Sequence, residues 1–177
     1  TLNRETLVLA FAGAAIALTY PLAKRFTYLP QVYLGLAFSW GIPMAFAAQE
    51  KTVGALAWSL VLANLLWTVA YDTMYAMADR PDDLKVGIKS SAILFGRFDL
   101  AINAVLQALA LVTLALVGQY LGLNSWFYVG LAGAAATAFY QSRLCAERDR
   151  NKCLKAFLNN IWFGGFVFAG IVLAYIG

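Results

Sequence analysis

The 177-residue chain contains no histidine. That excludes a histidine-ligated metal and a histidine general base. Charge is scarce as well: 12% of residues are Asp, Glu, Lys or Arg, about half the share of an ordinary soluble domain. Cysteine occurs twice, at Cys145 and Cys153, too few for a disulfide scaffold. Acidic and basic residues are missing altogether from Thr6–Ala23, Phe26–Gln49, Thr52–Tyr71, Leu100–Ser142 and Ala156–Gly177. There is no initiator Met and no signal-peptide pattern, and no internal repeat or low-complexity linker stands out.

What is present is apolar. Hydrophobic residues make up 62% of the chain and mean hydropathy is +0.71. About 20 apolar residues cross a bilayer core as a helix. The Leu100–Ser142 run is long enough for two crossings, with Gly118–Ser125 as the turn. The alternating pattern of a closed barrel, the other backbone-satisfying solution in lipid, is absent. The expectation is an all-α polytopic membrane bundle forming a single membrane domain over residues 1–177. It has six helices, roughly 5–23, 30–48, 53–78, 99–117, 126–143 and 156–176. Gly41–Pro43 is expected either to bend the second helix or to serve packing.

The net charge of +4 follows topology and is not a nucleic-acid footprint. On alternating sides, Lys24, Arg25, Arg80, Lys85, Lys89, Arg97, Arg143, Arg148, Arg150, Lys152 and Lys155 face only Arg4 and Lys51. The positive-inside rule then puts the segment around residues 72–89 in the cytoplasm and residue 1 outside. A first helix with an outside N-terminus and little upstream charge raises the expectation that further helices precede it.

One segment breaks the apolar pattern: "YDTMYAMADRPDDLKVGIKSSAILFG", Tyr71–Gly96. At 100° per residue, Asn64, Trp67, Tyr71, Asp72, Tyr75 and Asp79 share an arc of roughly 140° on the third helix. Asp79 and Asp83 are one turn apart. Pro81 between them predicts a break near Asp79 and a short second helix beginning at Pro81. Four like charges this close repel unless a cation holds them. Oxygen-only donors suit Mg²⁺, which uses one or two carboxylates and completes its shell with water and phosphate. Lys85 and Lys89 are candidate phosphate ligands. The residues themselves therefore suggest a Mg²⁺–phosphate site at the mouth of a membrane cavity. Asp82, Arg97 and Asp99 are assigned to a solvated loop. "RLCAERDRNKCLK" (Arg143–Lys155) reads as solvated and anchoring, and Lys24 as an anchor. Trp40, Trp58 and Trp126 read as core or interface residues, and Asn159 and Asn160 as interhelical hydrogen-bonding groups.

The phrase "NLLWTVAYDTMYAMADRPDDLKVGIKSSAILFG" (Asn64–Gly96) resembles the second aspartate-rich motif of the UbiA-type intramembrane aromatic prenyltransferases. "YPLAKRFTYLPQVYLGLAFSWGIPMAFAA" (Tyr20–Ala48), "NRETL" and "KAFLNN" fit the same family. The resemblance covers essentially the whole chain, and its wording is nearest the branch that uses 4-hydroxybenzoate in ubiquinone formation. It implies helices four to nine of a nine-helix fold. The family's first motif, of the NDxxDxxxD type, is not in this sequence, so the chain alone is expected to be inactive. The implied activity is transfer of a polyprenyl group from polyprenyl diphosphate to the ring carbon ortho to the phenol oxygen, with Mg²⁺ as cofactor. The implied setting is a bacterial inner membrane, or the homologous mitochondrial inner membrane, with lipid and the two substrates as partners and no nucleic acid.

Carried over by residue, Asp72, Asp79 and Asp83 match the motif's acidic positions as catalytic and metal-binding groups, with Tyr75 beside them. Tyr71, Tyr75 and Trp67 would stabilise an allylic cation through their ring faces. Lys85, Lys89 and Asn64 join the substrate site, and Arg25 would hold the benzoate carboxylate in two-point fashion. Alternatives are a naphthoate, homogentisate or porphyrin acceptor, a transporter or channel with an acidic cation site, and an inactive fragment with a structural role.

Overall fold

The computed structural model describes residues 3–50 and 52–177; Lys51, one of the two cations assigned to the outer side, lies outside them. Those residues form nine α-helices and one short 3-10 turn. They are α1 (Arg4–Phe26), α2 (Pro30–Ser39), α3 (Gly41–Glu50), α4 (Ala55–Val86), α5 (Ser91–Phe95), α6 (Asp99–Tyr120), α7 (Ser125–Cys145), α8 (Arg150–Leu158) and α9 (Asn160–Ile176). The 3-10 turn, Gly96–Phe98, joins α5 to α6.

The spans α1, Pro30–Glu50, α4, Ser91–Tyr120 and Arg150–Ile176 are each long and apolar enough to cross a bilayer. A sixth helix, α7, has 21 residues, about 30 Å at 1.5 Å each. It is rich in Gly and Ala, which fits its place packed between α6 and α9. The all-α multi-pass bundle is thus what the apolar runs predict, with α2–α3, α5–α6 and α8–α9 each acting as one broken span. The second span breaks at Trp40, between Ser39 and Gly41, three residues before Pro43. The last breaks at Asn159.

Two expectations need correction. Pro81 does not end the third membrane helix: α4 runs unbroken for 32 residues, with Pro81 inside it. Proline removes one backbone donor but leaves helical φ available, and flanking packing keeps the chain helical. The helix stops instead at Gly87, whose φ of 70° is left-handed and whose N–H bonds back to the Asp83 carbonyl. The second correction concerns residues 143–155, expected to be a solvated loop. Cys145 and Cys153 are buried as free thiols in a cluster with Met74, Met77, Ala92 and Ala156. Only a short turn separates α7 from α8.

The core sits where α4 meets α6 and α8. Its α4 face, Val69, Ala70, Thr73, Met74, Ala76, Met77 and Ala78, is buried. Several polar groups inside the bundle find partners, since an unpaired one costs several kcal/mol in hydrocarbon, though Asn103 Oδ1 has none. Asn103 donates to the Ala70 carbonyl at 2.7 Å. Gln107 donates to Gln141 at 2.8 Å, and Gln141 donates to Asn159 at 3.4 Å. Trp40 donates to the Leu9 carbonyl and meets Trp58 edge-on, so both indoles pin helices together.

Candidate functional site

Because α4 continues past Pro81, Asp72, Asp79 and Asp83 lie on one unbroken helix. At 100° per residue they fall within an arc of about 40°, separated along the axis by about 10 Å and then about 6 Å. Asp83 is buried, while Asp72 and Asp79 are half-buried. This acidic edge faces the end of α1 and the start of α2. Lys24 stands near both Asp72 and Asp83, with Gln31 and Tyr20 also beside Asp72. Gln31 is buried, and its Oε1 accepts from the Ser91 N–H at 3.2 Å. Ser91 in turn shares a 2.7 Å hydrogen bond with Thr73. The α1–α2 junction is therefore tied to α4 and α5 around the acids.

The aromatic edge of the same stripe faces α8 and α9 instead. Trp67 stacks on Phe163 with ring centroids 5.2 Å apart, and its Nε1–H donates to Asn160 at 3.0 Å. Tyr71 meets Trp67 edge-on and lies 5.9 Å from the Phe157 ring. Tyr75 lies 5.1 Å from the Phe157 ring. The three rings thus form one aromatic wall with Phe157 and Phe163. Asn64 is not part of the acidic edge: it sits about 12 Å from Asp72 along the axis and donates to Ser39 at 2.9 Å, joining α4 to α2.

The cations divide. Lys89 donates to the Phe26 carbonyl at 3.4 Å and lies over the Tyr28 ring at 5.2 Å, closing the site against the α1–α2 link. Lys85 is exposed and pairs with Asp82 at 3.2 Å. Arg25 is exposed, on the last turn of α1 next to Lys24.

Sequence reasoning missed several participants. Asp99, assigned to a solvated loop, is fully buried. It pairs with Arg80 of α4 and with Arg148, whose Nη2 is 2.8 Å away. It also accepts from its neighbour's N–H, that of Leu100, at 2.7 Å. Arg148 adopts a left-handed φ of 55° and also donates to the Arg97 carbonyl. The hydrogen bonds that Arg148 donates to the Asp99 carboxylate push its guanidinium pKa up. Arg150, two residues on, reaches Asp82 at 2.8 Å and Asp79 at 3.8 Å. Lys24, read as an anchor, is half-buried among the acids. The pattern of a buried carboxylate taking two arginines from distant segments leaves no local signature. Lys24 was detectable only through its place one turn beyond Tyr20 on the end of α1.

Among the described residues, no three His, Cys, Asp or Glu side chains converge closely enough to share one metal ion. The spacing along α4 explains that: its acids are spread over about three turns. The donor set does fit a hard cation that takes one or two carboxylates and fills its shell with water and phosphate oxygens. Asp79 with Asp83, or Asp72 alone, can serve as such a carboxylate contribution.

Comparison with known proteins completes the description. A model described as the UbiA prenyltransferase family matches residues 1–167. The chain is 56% identical over 176 residues to a protein of Aeromonas salmonicida named 4-hydroxybenzoate octaprenyltransferase, covering 99% of the chain and 61% of the relative. It is 52% identical to one of the same name from Methylococcus capsulatus, covering 99% and 60%. The chain thus spans about three-fifths of the length of these curated relatives. Among solved structures, the apo form of a UbiA homologue from Aeropyrum pernix K1 superposes with a TM-score of 0.81 at 28% identity, covering 97% of this chain and 65% of that one.

Proposed function

The chain belongs to the UbiA prenyltransferase family, and from that premise we propose that it transfers a polyprenyl group from polyprenyl diphosphate to the ring carbon ortho to the hydroxyl of 4-hydroxybenzoate, releasing diphosphate, in ubiquinone formation. The names of relatives at 52–56% identity support the acceptor. The observation that carries the reading is the edge of α4 bearing Asp72, Asp79 and Asp83, opposed by Lys24.

On this reading Asp79 with Asp83, and Asp72 separately, would hold Mg²⁺, which when bound would supply positive charge to the diphosphate leaving group. Lys85, in the last turn of α4, and Lys89, in the link to α5, follow the acids and supply further positive charge to phosphate oxygens. Trp67, Tyr71 and Tyr75 present ring faces and edges along the wall beside the acids. A ring face stabilises a desolvated cation by about 2 kcal/mol, and the wall shields the allylic cation from water. Arg25 offers a planar two-point partner to the benzoate carboxylate. A carboxylate of the cluster accepts the ring proton. Residues 1–177 act as one membrane domain, set in a bacterial inner membrane with the acidic end in the cytoplasm. The complete site also takes a second aspartate-rich segment of the NDxxDxxxD type, which these 177 residues do not contain.

The test supplies that segment. Membranes containing this chain, together with the part of the Aeromonas salmonicida relative outside the matched region, are given polyprenyl diphosphate and labelled 4-hydroxybenzoate, with and without Mg²⁺. Prenylated hydroxybenzoate forms only with Mg²⁺, and the chain alone gives none. Asp79→Asn and Asp83→Asn each lower turnover by about 100-fold or more, the scale of losing one oriented electrostatic partner of a developing charge. Arg25→Ala raises KM for hydroxybenzoate and leaves KM for the diphosphate alone. Absence of product from the combined polypeptides overturns the reading, and Mg²⁺-independent ion flux through the same membranes would point to a cation pathway instead.

A further inference from the structure

Arg150 is the one basic residue that reaches the acidic edge of α4 from the α7–α8 turn, and its geometry there is uneven. Its Nη1 donates to Asp82 at 2.8 Å, while Nη2 stands 3.8 Å from Asp79, beyond hydrogen-bond length. Asp82 lies between the two metal-type acids in sequence but is turned about 60° from Asp79 and about 100° from Asp83 around α4. Arg150 is therefore bonded to an acid outside the stripe and merely neighbours one within it. The side chain is 58% exposed, Asp82 is 49% exposed and Asp79 is 29% exposed. Solvated ion pairs of this kind are weak and readily exchanged.

Its placement is nevertheless built. Asp99 is buried and takes Arg80 and Arg148 together. Arg148 is held in the left-handed region as it turns toward Asp99. Asp149 then caps α8 by accepting from the Lys152 N–H at 2.9 Å. The turn is thus tied to α4 and α6 immediately before Arg150, and the first residue of α8 faces the acids.

Resting on the proposed function, we infer that Arg150 is a resident counter-ion that exchanges: it neutralises Asp79 when the site is empty. When a divalent cation takes Asp79, it keeps Asp82 and turns its free Nη2 edge to a diphosphate oxygen. The stripe is then never left with uncompensated like charge, and the incoming anion meets a guanidinium already at its place. Arg150 is on this account a diphosphate-binding residue contributed by a segment that the aspartate-rich motif does not include.

The chain, combined with the part of the Aeromonas salmonicida relative outside the matched region and placed in lipid nanodiscs, is titrated with Mn²⁺, read by electron paramagnetic resonance, and separately with inorganic diphosphate in Mg²⁺, read by calorimetry. Three proteins are compared: the parent, Arg150→Gln and Lys152→Gln. Lys152 is on the same helix but pairs with Glu147, so it controls for loss of one positive charge. Arg150→Gln binds Mn²⁺ more tightly than Lys152→Gln, by up to about fivefold, the factor a solvated ion pair is worth. It binds diphosphate more weakly than both other proteins, and Arg150→Lys restores part of that affinity. A parent that binds both ligands, with Arg150→Gln matching Lys152→Gln in either titration, overturns this inference alone. A parent that binds neither overturns the proposed function together with it.

Discussion

Asp99 is the residue whose role departs furthest from its sequence context. A carboxylate between a glycine-containing turn and an apolar helix reads as a surface group, yet this one is wholly buried and carries two arginines. Removing one member of a buried ion group leaves uncompensated charge, at a cost of about 3–5 kcal/mol when all partners are buried. Arg80 and Arg148 remain 22% and 38% exposed, so water recovers part of that cost. Asp99→Ala is expected to destabilise the chain by about 2–3 kcal/mol, measured by denaturant unfolding in detergent. Arg148→Gly loses the same pair on one side but relieves the left-handed backbone, so its cost is smaller, about 1 kcal/mol. Arg148→Ala loses the same pair without that relief, so a loss no larger than that of Arg148→Gly would show that the Arg148 backbone holds no strain. The Arg148 guanidinium is raised further above neutral pH by Asp99. A raised pKa gives stability that is lost only as pH climbs through the folded value, so this arm of the group holds at every physiological pH.

Among the elements, α7 and α9 approach most closely, and glycine is the reason. A Cβ built on Gly130 would lie 2.6 Å from the Phe166 carbonyl oxygen and 2.7 Å from the Gly170 Cα. Both neighbours are backbone, so neither can move aside without separating the helices. In hydrocarbon no hydrophobic force pulls helices together, and small residues let backbones touch for dispersion contact. Gly130→Val is expected to push α9 away from α7 and, with it, Asn160 from Trp67 and Phe163 from the aromatic wall. Intrinsic fluorescence should then report a changed Trp67 environment, with product formation falling in the same variant. A Gly130→Val protein with unaltered fluorescence and turnover would show that this crossing is not what sets the wall. Helix existence was legible from the uncharged runs, because lipid leaves the backbone few alternatives. The α4 stripe was legible from the 3.6-residue period. Less legible were the ends: whether Pro81 stops a helix depends on packing around it, which no local pattern encodes. The same limit hid Arg150 and Lys24, since both reach the acids across helices distant in sequence.

At the scale of the molecule, the distribution of charge is also a statement about which end is which. Ion pairs and hydrogen bonds join Arg80, Arg148 and Arg97 around Asp99, Arg150 to the α4 acids, and Lys89 to the end of α1. The cations of residues 24–25, 80–97 and 143–155 therefore collect at one end of the bundle. Arg4, by contrast, begins α1, a 23-residue helix whose other end carries Lys24 and Arg25. Each basic residue near an anionic inner leaflet gains about 1 kcal/mol, and the excess opposes translocation of that end. The acids do not cancel the effect, because Asp and Glu contribute little to orientation. The expected arrangement is the acidic site in the cytoplasm and the Tyr120–Ser125 turn outside. Glu147 and Tyr120 are exposed at opposite ends, while Cys145 and Cys153 are buried and react slowly. In spheroplasts, a membrane-impermeant maleimide should label Tyr120→Cys at once and Glu147→Cys only after the membrane is broken. The reverse order would place the diphosphate site on the outer face, away from a cytoplasmic supply of phosphorylated prenyl donor, and the proposed chemistry would lose its substrate.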